Sequence, residues 1–221
     1  TMSVHNGVAT MPIVEYGSEE QKQQFLPNLT SGEMIGAFAL TEAQAGSDAA
    51  NLKCSARRDG EHYVLNGTKL FISSGVIAGI AIVFAVTDPD AGKKGISAFI
   101  VPTDLEGFSA GAAEHKLGQR GHETVALNFD DVRLPANLLL GPEGAGYKIA
   151  LSNLEGGRIG IAAQSTGMAQ AAFDAAREYA RERVTFGKAI ADHQAVAFRL
   201  ADMATRIEAS RLMALNAATL K

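Results

Sequence analysis

The stretch Gly36-Ala37-Phe38-Ala39-Leu40-Thr41-Glu42-Ala43-Gln44-Ala45-Gly46-Ser47-Asp48 changes character part-way along. Through Leu40 it is apolar and reads as a mostly buried strand. Beyond that point Thr41, Glu42, Gln44, Ser47 and Asp48 are polar, while Ala43, Ala45 and Gly46 are small. Small side chains let a ligand approach the backbone, and Gly46 can take φ > 0. Successive free N–H groups in such a turn form an anion-binding concavity. From local chemistry alone, the leading account is a strand ending in a turn capped by Thr and Ser.

Downstream, residues 51–135 read as β-structure. Tyr63–Ser73 contains Asn66-Gly67, the pair favoured in two-residue type I′ turns, and so predicts a hairpin ending in Phe71-Ile72-Ser73. Ile80–Thr87, Ile96–Val101, Val125–Phe129 and Val132–Leu134 read as further strands, with a loop at Asp88–Gly92. Many short strands without βαβ alternation predict a barrel or sandwich. Upstream, residues 2–12 suggest a helix or turn. Ser18 caps a helix that the pattern ends at Pro27, followed by a turn at Thr30-Ser31-Gly32.

From Tyr147 the spacing becomes helical (Ile149, Leu151, Leu154, Ile161). Gly187 is the expected end of that helix and Asp192 the N-cap of the next. Val196, Leu200, Met203 and Ile207 share one face of the second helix, with Arg199, Asp202 and Arg206 positioned for surface pairs. The expected fold is α+β: a central antiparallel β-barrel or sandwich, then long helices of an incomplete bundle. The expected divisions are residues 1–34, 35–142 and 143–221. Two apolar-faced helices cannot bury all their apolar surface against each other, so the chain reads as cut at its C-terminus.

Composition narrows the function. The 221 residues carry a net charge of −4 and no long basic run, which argues against nucleic acid or anionic membrane as partner. The longest apolar runs fall far short of a membrane span, and no signal peptide is apparent. The lone Cys54 cannot form an internal disulfide, which suits a reducing compartment. It has no evident base partner and reads as a small buried residue. His115 and His122 lack ligand spacing, so no metal site is expected. Gly141–Gly146 does not have the spacing of a dinucleotide loop.

Three further motifs complete the reading. Phe71-Ile72-Ser73 offers an aromatic face and a hydroxyl, or simply a core Phe and a strand-end Ser. Leu154-Glu155-Gly156-Gly157-Arg158-Ile159-Gly160 places two glycines inside a helix at about 1 kcal/mol each, which invites close approach of another group. From spacing alone, Glu155 and Arg158 read first as a surface pair worth about 0.2–0.5 kcal/mol. Glu182-Arg183-Val184-Thr185-Phe186-Gly187-Lys188, followed by His193-Gln194, is either a basic helix end or a binding turn.

In this order, the four motifs resemble the acyl-CoA dehydrogenases, flavoenzymes that desaturate acyl-CoA thioesters. The Gly157–Ala162 pattern is most similar to the short-chain, butyryl-CoA branch. The resemblance implies an N-terminal helical domain, a middle β-domain and a C-terminal four-helix bundle, with this chain cut at both ends. It implies FAD as cofactor. The Phe38, Leu40 and Thr41 backbone and the Thr41 hydroxyl would meet the flavin's pyrimidine end. Gly46 and Ser47 would lie near its pyrophosphate and the acyl-CoA, and Phe71, Ile72 and Ser73 beside its ring. Phe71 and Ser73 stand where Trp and Thr are more usual. Glu155, where Asp is usual, and Arg158 would contact CoA. Arg183, Thr185, Phe186 and Gln194 would hold the adenine-side half of FAD across a subunit interface.

The implied reaction is α,β-dehydrogenation of a short- to medium-chain acyl-CoA. Electron-transfer flavoprotein is the implied acceptor and a homotetramer the implied assembly, in bacterial cytoplasm or mitochondrial matrix. No catalytic base is expected within these residues. In some branches of the family the base immediately precedes the Arg matched by Arg158, but here that position is Gly157. Glu155 lies about 200° away around the helix. The alternatives on the same scaffold are an acyl-CoA oxidase or flavin monooxygenase, or a non-catalytic fragment that binds flavin or CoA.

Overall fold

The computed structural model describes residues 2–221. They divide into two compact units, one extending through Gly157 and the other comprising Arg158–Lys221.

In the first unit a π-helix, Val4–Thr10, leads directly into α1, Met11–Tyr16. Pro12 lies in the first turn of α1, and the helical backbone runs through it without a break from the π-helix. Helix α2, Glu19–Ser31, opens on a complete capping box formed by Ser18 and Gln21. It passes through Pro27, where the sequence pattern predicts a stop. Burial of Phe25 and Leu29 on either side of the proline sustains the helix, which ends at Gly32 in the left-handed conformation.

The β-domain is one connected eight-stranded sheet. Its strands are β1 Ile35–Ala39, β2 Ser55–Asp59, β3 His62–Ser73, β4 Ala78–Val86, β5 Ile96–Pro102, β6 Phe108–Ala110, β7 Thr124–Pro135 and β8 Leu139–Leu140. Most pairings are antiparallel, as expected, but β1 runs parallel to β4 and β2 meets β4 in parallel at Ser55–Val86. β4 and β5 are almost wholly buried and form the centre of the core.

Asn66-Gly67 is not a turn. Strand β3 continues straight through it, and the β2–β3 reversal falls at Gly60 instead. Gly67 sits at a register shift opposite β7 with φ 138°, and a Cβ there would come 2.8 Å from the Cys54 Cα. The glycine thus serves a β-bulge and a close backbone approach, the other use of strand glycine. The same shift lets Val125–Phe129 and Val132–Leu134 join as one strand, β7, with Asp131 at φ 48°.

Helix α3, Gly146–Glu182, runs from the first unit into the second. Of its predicted apolar face, Ile149 is buried and Leu154 half-buried, whereas Leu151 and Ile161 are exposed. Gly187 does not end it. The helix stops at Glu182, and Gly187 instead forms, with Phe186, the turn between β9 Val184–Thr185 and β10 Lys188–Ala189. Both turn residues have positive φ, as a two-residue hairpin requires. Asp192 lies in a 3-10 turn, and His193 occupies the N-cap of α4, Gln194–Leu220. Within the second unit Arg211 of α4 donates to Gln170 of α3 at 2.8 Å, and Arg206 pairs with Asp202 at 3.0 Å. Of the predicted α4 face only Ile207 is buried. Among the described residues no helix is long and apolar enough to cross a membrane.

The bulge predicts a clear mutational contrast. Gly67→Ala should cost about 2–4 kcal/mol, combining strain with overpacking. Gly60→Ala, also at positive φ but with open space around it, should cost about 1–2 kcal/mol. Urea denaturation of the two variants measures the difference.

Candidate functional site

The site is built where β1 ends. Lys69, on β3, and Glu42, just past β1, form a buried ion pair of 2.7 Å. Lys69 Nζ also donates to the Leu40 carbonyl at 3.1 Å. The Glu42 carboxylate further accepts from the backbone N–H groups of Lys53 (2.7 Å) and Cys54 (3.1 Å) and from the Gln44 amide (2.6 Å). Burial pushes the Glu42 carboxyl up, but the Lys69 charge and these hydrogen bonds outweigh it and hold it below its ordinary value. Burial pulls Lys69 down, against the opposing effects of Cys54 and Glu42. The dense set of donors on Glu42 decides for the ionised pair. Burial also raises the neighbouring Cys54 thiol to about 11, keeping it protonated and inert.

This anchor fixes the turn. Glu42 and Ala45 exchange backbone hydrogen bonds, and Leu70 N–H donates to the Thr41 carbonyl at 2.8 Å. The segment Phe38–Thr41 is thereby tied beside Leu70–Ser73. Phe38 is half-buried, its ring 5.0 Å from that of Phe84, and Leu40 is buried. Thr41 is half-buried, while Gly46 and Ser47 are exposed. The hydroxyls of Thr41, Ser47 and Ser73 have no hydrogen-bond partner among the described residues, nor do the N–H groups of Ala43, Gln44, Gly46 and Ser47. Thr and Ser therefore do not cap the turn, and its donors remain available to a ligand. Gly46 does not adopt positive φ, but it faces open space.

Phe71 is not a core residue. It is 63% exposed and has φ 58°, a rare conformation for a bulky side chain. A register shift between Lys69 and Ile72 produces it. The bulge sends Phe71 outward, keeps Ile72 buried and leaves Ser73 half-buried. Backbone strain at a bulge is characteristic of ligand sites.

The remaining candidates lie elsewhere in the chain. Glu155 and Arg158 are both exposed on α3, and neither enters an ion pair among the described residues. In the second unit, Arg183, Phe186 and Gln194 are exposed around the β9–β10 hairpin. The hairpin is held by the Ile190 N–H to Arg183 carbonyl bond (2.8 Å) and by a 3.0 Å hydrogen bond between the Thr185 hydroxyl and His193 Nε2.

Comparison with known proteins identifies the family. Family models described as the N-terminal, middle and C-terminal domains of acyl-CoA dehydrogenase match residues 1–33, 37–132 and 144–221. The chain belongs to the acyl-CoA dehydrogenase family. It is 52% identical to an acyl-CoA dehydrogenase of Bacillus subtilis, over 99% of this chain and 58% of that protein. The structure of butyryl-CoA dehydrogenase from Megasphaera elsdenii superposes with a TM-score of 0.96 at 45% identity, over 98% of this chain and 57% of that one. A glutaryl-CoA dehydrogenase from Mycobacterium smegmatis, solved in complex with FADH2, gives 0.90 at 39% identity, over 97% and 54%. The chain thus spans a little over half the length of these relatives.

Sequence reasoning missed Lys69, the buried partner that anchors the candidate turn. A lysine in a strand reads as solvent-facing, and the Asn66-Gly67 bulge hides its inward parity. The signal available was Glu42, an acid in a turn of small residues that needs a buried partner.

Truncating the cation should expose how much rests on the pair. Lys69→Met leaves an unpaired buried carboxylate and should cost about 3–5 kcal/mol. The double variant Glu42→Gln/Lys69→Met should recover part of that. The Glu42 carboxyl is lowered by folding, so its contribution is present above its unfolded value, ~4.3, and is lost as pH falls through the lower folded one. Denaturation across acid pH should therefore show a shallower acid loss in the double variant than in the native chain.

Proposed function

We propose that the protein to which this chain belongs oxidises a short- to medium-chain acyl-CoA to the 2-enoyl-CoA, using FAD. The observation that carries the reading is the array at the end of β1: unpartnered Thr41 and Ser73 hydroxyls, free turn amides, open space at Gly46 and the outward Phe71. That donor set fits a flavin. Thr41 and Ser73 would hydrogen-bond the ring system, with the Phe38–Thr41 backbone and Ile72 framing it and Phe71 covering it. Gly46 and Ser47 would take the pyrophosphate. Arg183, Thr185, Phe186 and Gln194 would hold the adenine-side half from another subunit, which implies a homo-oligomer, a tetramer in the intact protein.

Bound there, FAD supplies the acceptor for the β-hydrogen of the substrate as hydride. The chain's own residues bind and orient. Arg158 and Glu155 would engage CoA, and Ser47 would lie near both the FAD pyrophosphate and the acyl-CoA. Removal of the α-proton requires a positioned carboxylate. Gly157 supplies none, and Glu155 projects about 200° away around the helix. The base is therefore assigned outside these residues. Electron-transfer flavoprotein is the proposed acceptor, with bacterial cytoplasm or mitochondrial matrix as the setting.

Two measurements test this reading. In the full-length protein, Arg183→Ala should weaken FAD binding more than Ser73→Ala, because it removes a charged partner of the cofactor; a titration giving the reverse order contradicts the assignment. Anaerobic mixing of this chain, loaded with FAD, with butyryl-CoA should leave the oxidised flavin band intact. Rapid bleaching that disappears in Glu155→Gln would instead make Glu155 the base.

A further inference from the structure

His5 is buried within the π-helix Val4–Thr10, a geometry often found at functional positions. Its ring bridges two backbone groups that are distant in sequence. Nε2 lies 2.9 Å from the Leu29 carbonyl, and the Gly36 N–H donates to Nδ1 at 3.0 Å. A carbonyl only accepts and an amide N–H only donates. The ring is therefore a neutral imidazole with its proton on Nε2. Leu29 belongs to the last turn of α2. Gly36 is the second residue of β1, where the register against β4 shifts. The Thr10 hydroxyl holds the His5 carbonyl at 2.7 Å. Gly36 packs so closely that a Cβ would come 2.8 Å from the Ala9 Cβ, leaving little room for a replacement acceptor.

The charged and titratable side chains on the elements around the ring are few. They are Glu15 and Tyr16 on α1, Glu19, Glu20 and Lys22 on α2, and Glu33 before β1. Tyr147, Lys148 and Glu155 lie on the part of α3 that approaches Val8 at Gly157, and Arg158 follows directly in sequence. β1 and β4 carry none. Lys22 pairs with Glu19, and Tyr16 bonds Ser152. None of these groups hydrogen-bonds the His5 ring, whose two nitrogens meet backbone only.

The geometry points to His5 as an acid-sensitive latch on β1. Neutral, it pins the start of the strand to the end of α2. Protonated, it turns a second N–H toward the Gly36 N–H, and that hydrogen bond is lost. The released end belongs to the strand that carries Phe38 toward Thr41. His5 is thus a positioning residue, acting through Gly36, and the inference stands independently of the proposed cofactor.

The test is amide hydrogen exchange on this chain, corrected for intrinsic exchange at each pH, together with imidazole nitrogen shifts. Exchange is followed from about pH 8 downward to the onset of global unfolding, which Ile82 in β4 reports. Protection of Gly36 should fall roughly five- to tenfold, as for loss of one hydrogen bond, at a pH where Ile82 is still protected. At the upper pH the ring should show the Nε2–H tautomer. His5→Gln keeps a donor and an acceptor without titrating, and should hold Gly36 protected at both ends of the range. Gly36 protection that is constant with pH in the native chain, or that falls equally in His5→Gln, overturns the latch. So does an Nδ1–H tautomer.

Discussion

An acid and a base share one dry site between β1 and β3, and the candidate site depends on them. Isolated burial of either Glu42 or Lys69 would be prohibitive. Together, with the Lys53 and Cys54 amides and the Leu40 carbonyl completing their hydrogen bonds, they are satisfied. The pair stitches the turn after β1 to the middle of β3. An apolar pair of similar volume could hold these segments together, but it would not orient the Leu40 carbonyl or the turn amides. Directional bonds fix which groups of Thr41–Ser47 face inward and which remain free.

The second constraint is the paired bulges in β3. At Gly67 the strand needs a residue without Cβ because Cys54 passes beneath it. At Phe71 it accepts positive φ in an aromatic residue, which costs of order 1–3 kcal/mol. The cost is absorbed because Ile72 on one side and Lys69 on the other are locked in the core. An unbulged strand would keep strict alternation, and the side-chain directions that separate outward Phe71 from buried Ile72 would change. Local strain and global packing are therefore complementary in this strand.

Much of this was legible from residue order. The Ser18 cap, the strands from Ala78 to Pro102, the long helices and the cluster of candidate residues after Leu40 follow from patterning and short-range chemistry. The misreadings share a cause. Pro27, Asn66-Gly67 and Gly187 are strong local signals, each overridden or re-used by context: Phe25 and Leu29 carry a helix through Pro27, Cys54 turns a hairpin signal into a bulge, and Gly187 serves a hairpin where a helix cap was expected. Asp192 lost the N-cap to His193, whose ring bonds Thr185. Glu42 signalled the need for a buried partner, but not that it was Lys69, because two residues 27 positions apart become partners only once the sheet exists.

The two groups of candidate residues differ in how firmly the chain holds them. Phe38–Ser47 and Phe71–Ser73 stand on a sheet whose central strands are fully buried, and a buried ion pair fixes their connection. Their geometry is set before any ligand arrives, which lowers the entropy that binding must overcome. Arg183–Gln194 spans a hairpin of two-residue strands and the turn into α4, with polar ties that include Ile190 to Arg183 and Thr185 to His193. Phe186 at its tip is 97% exposed. A motif with so few internal ties gains order from what it contacts. The rigid part is therefore suited to setting the orientation of a bound ring system. The hairpin is suited to adding affinity once a partner surface completes it.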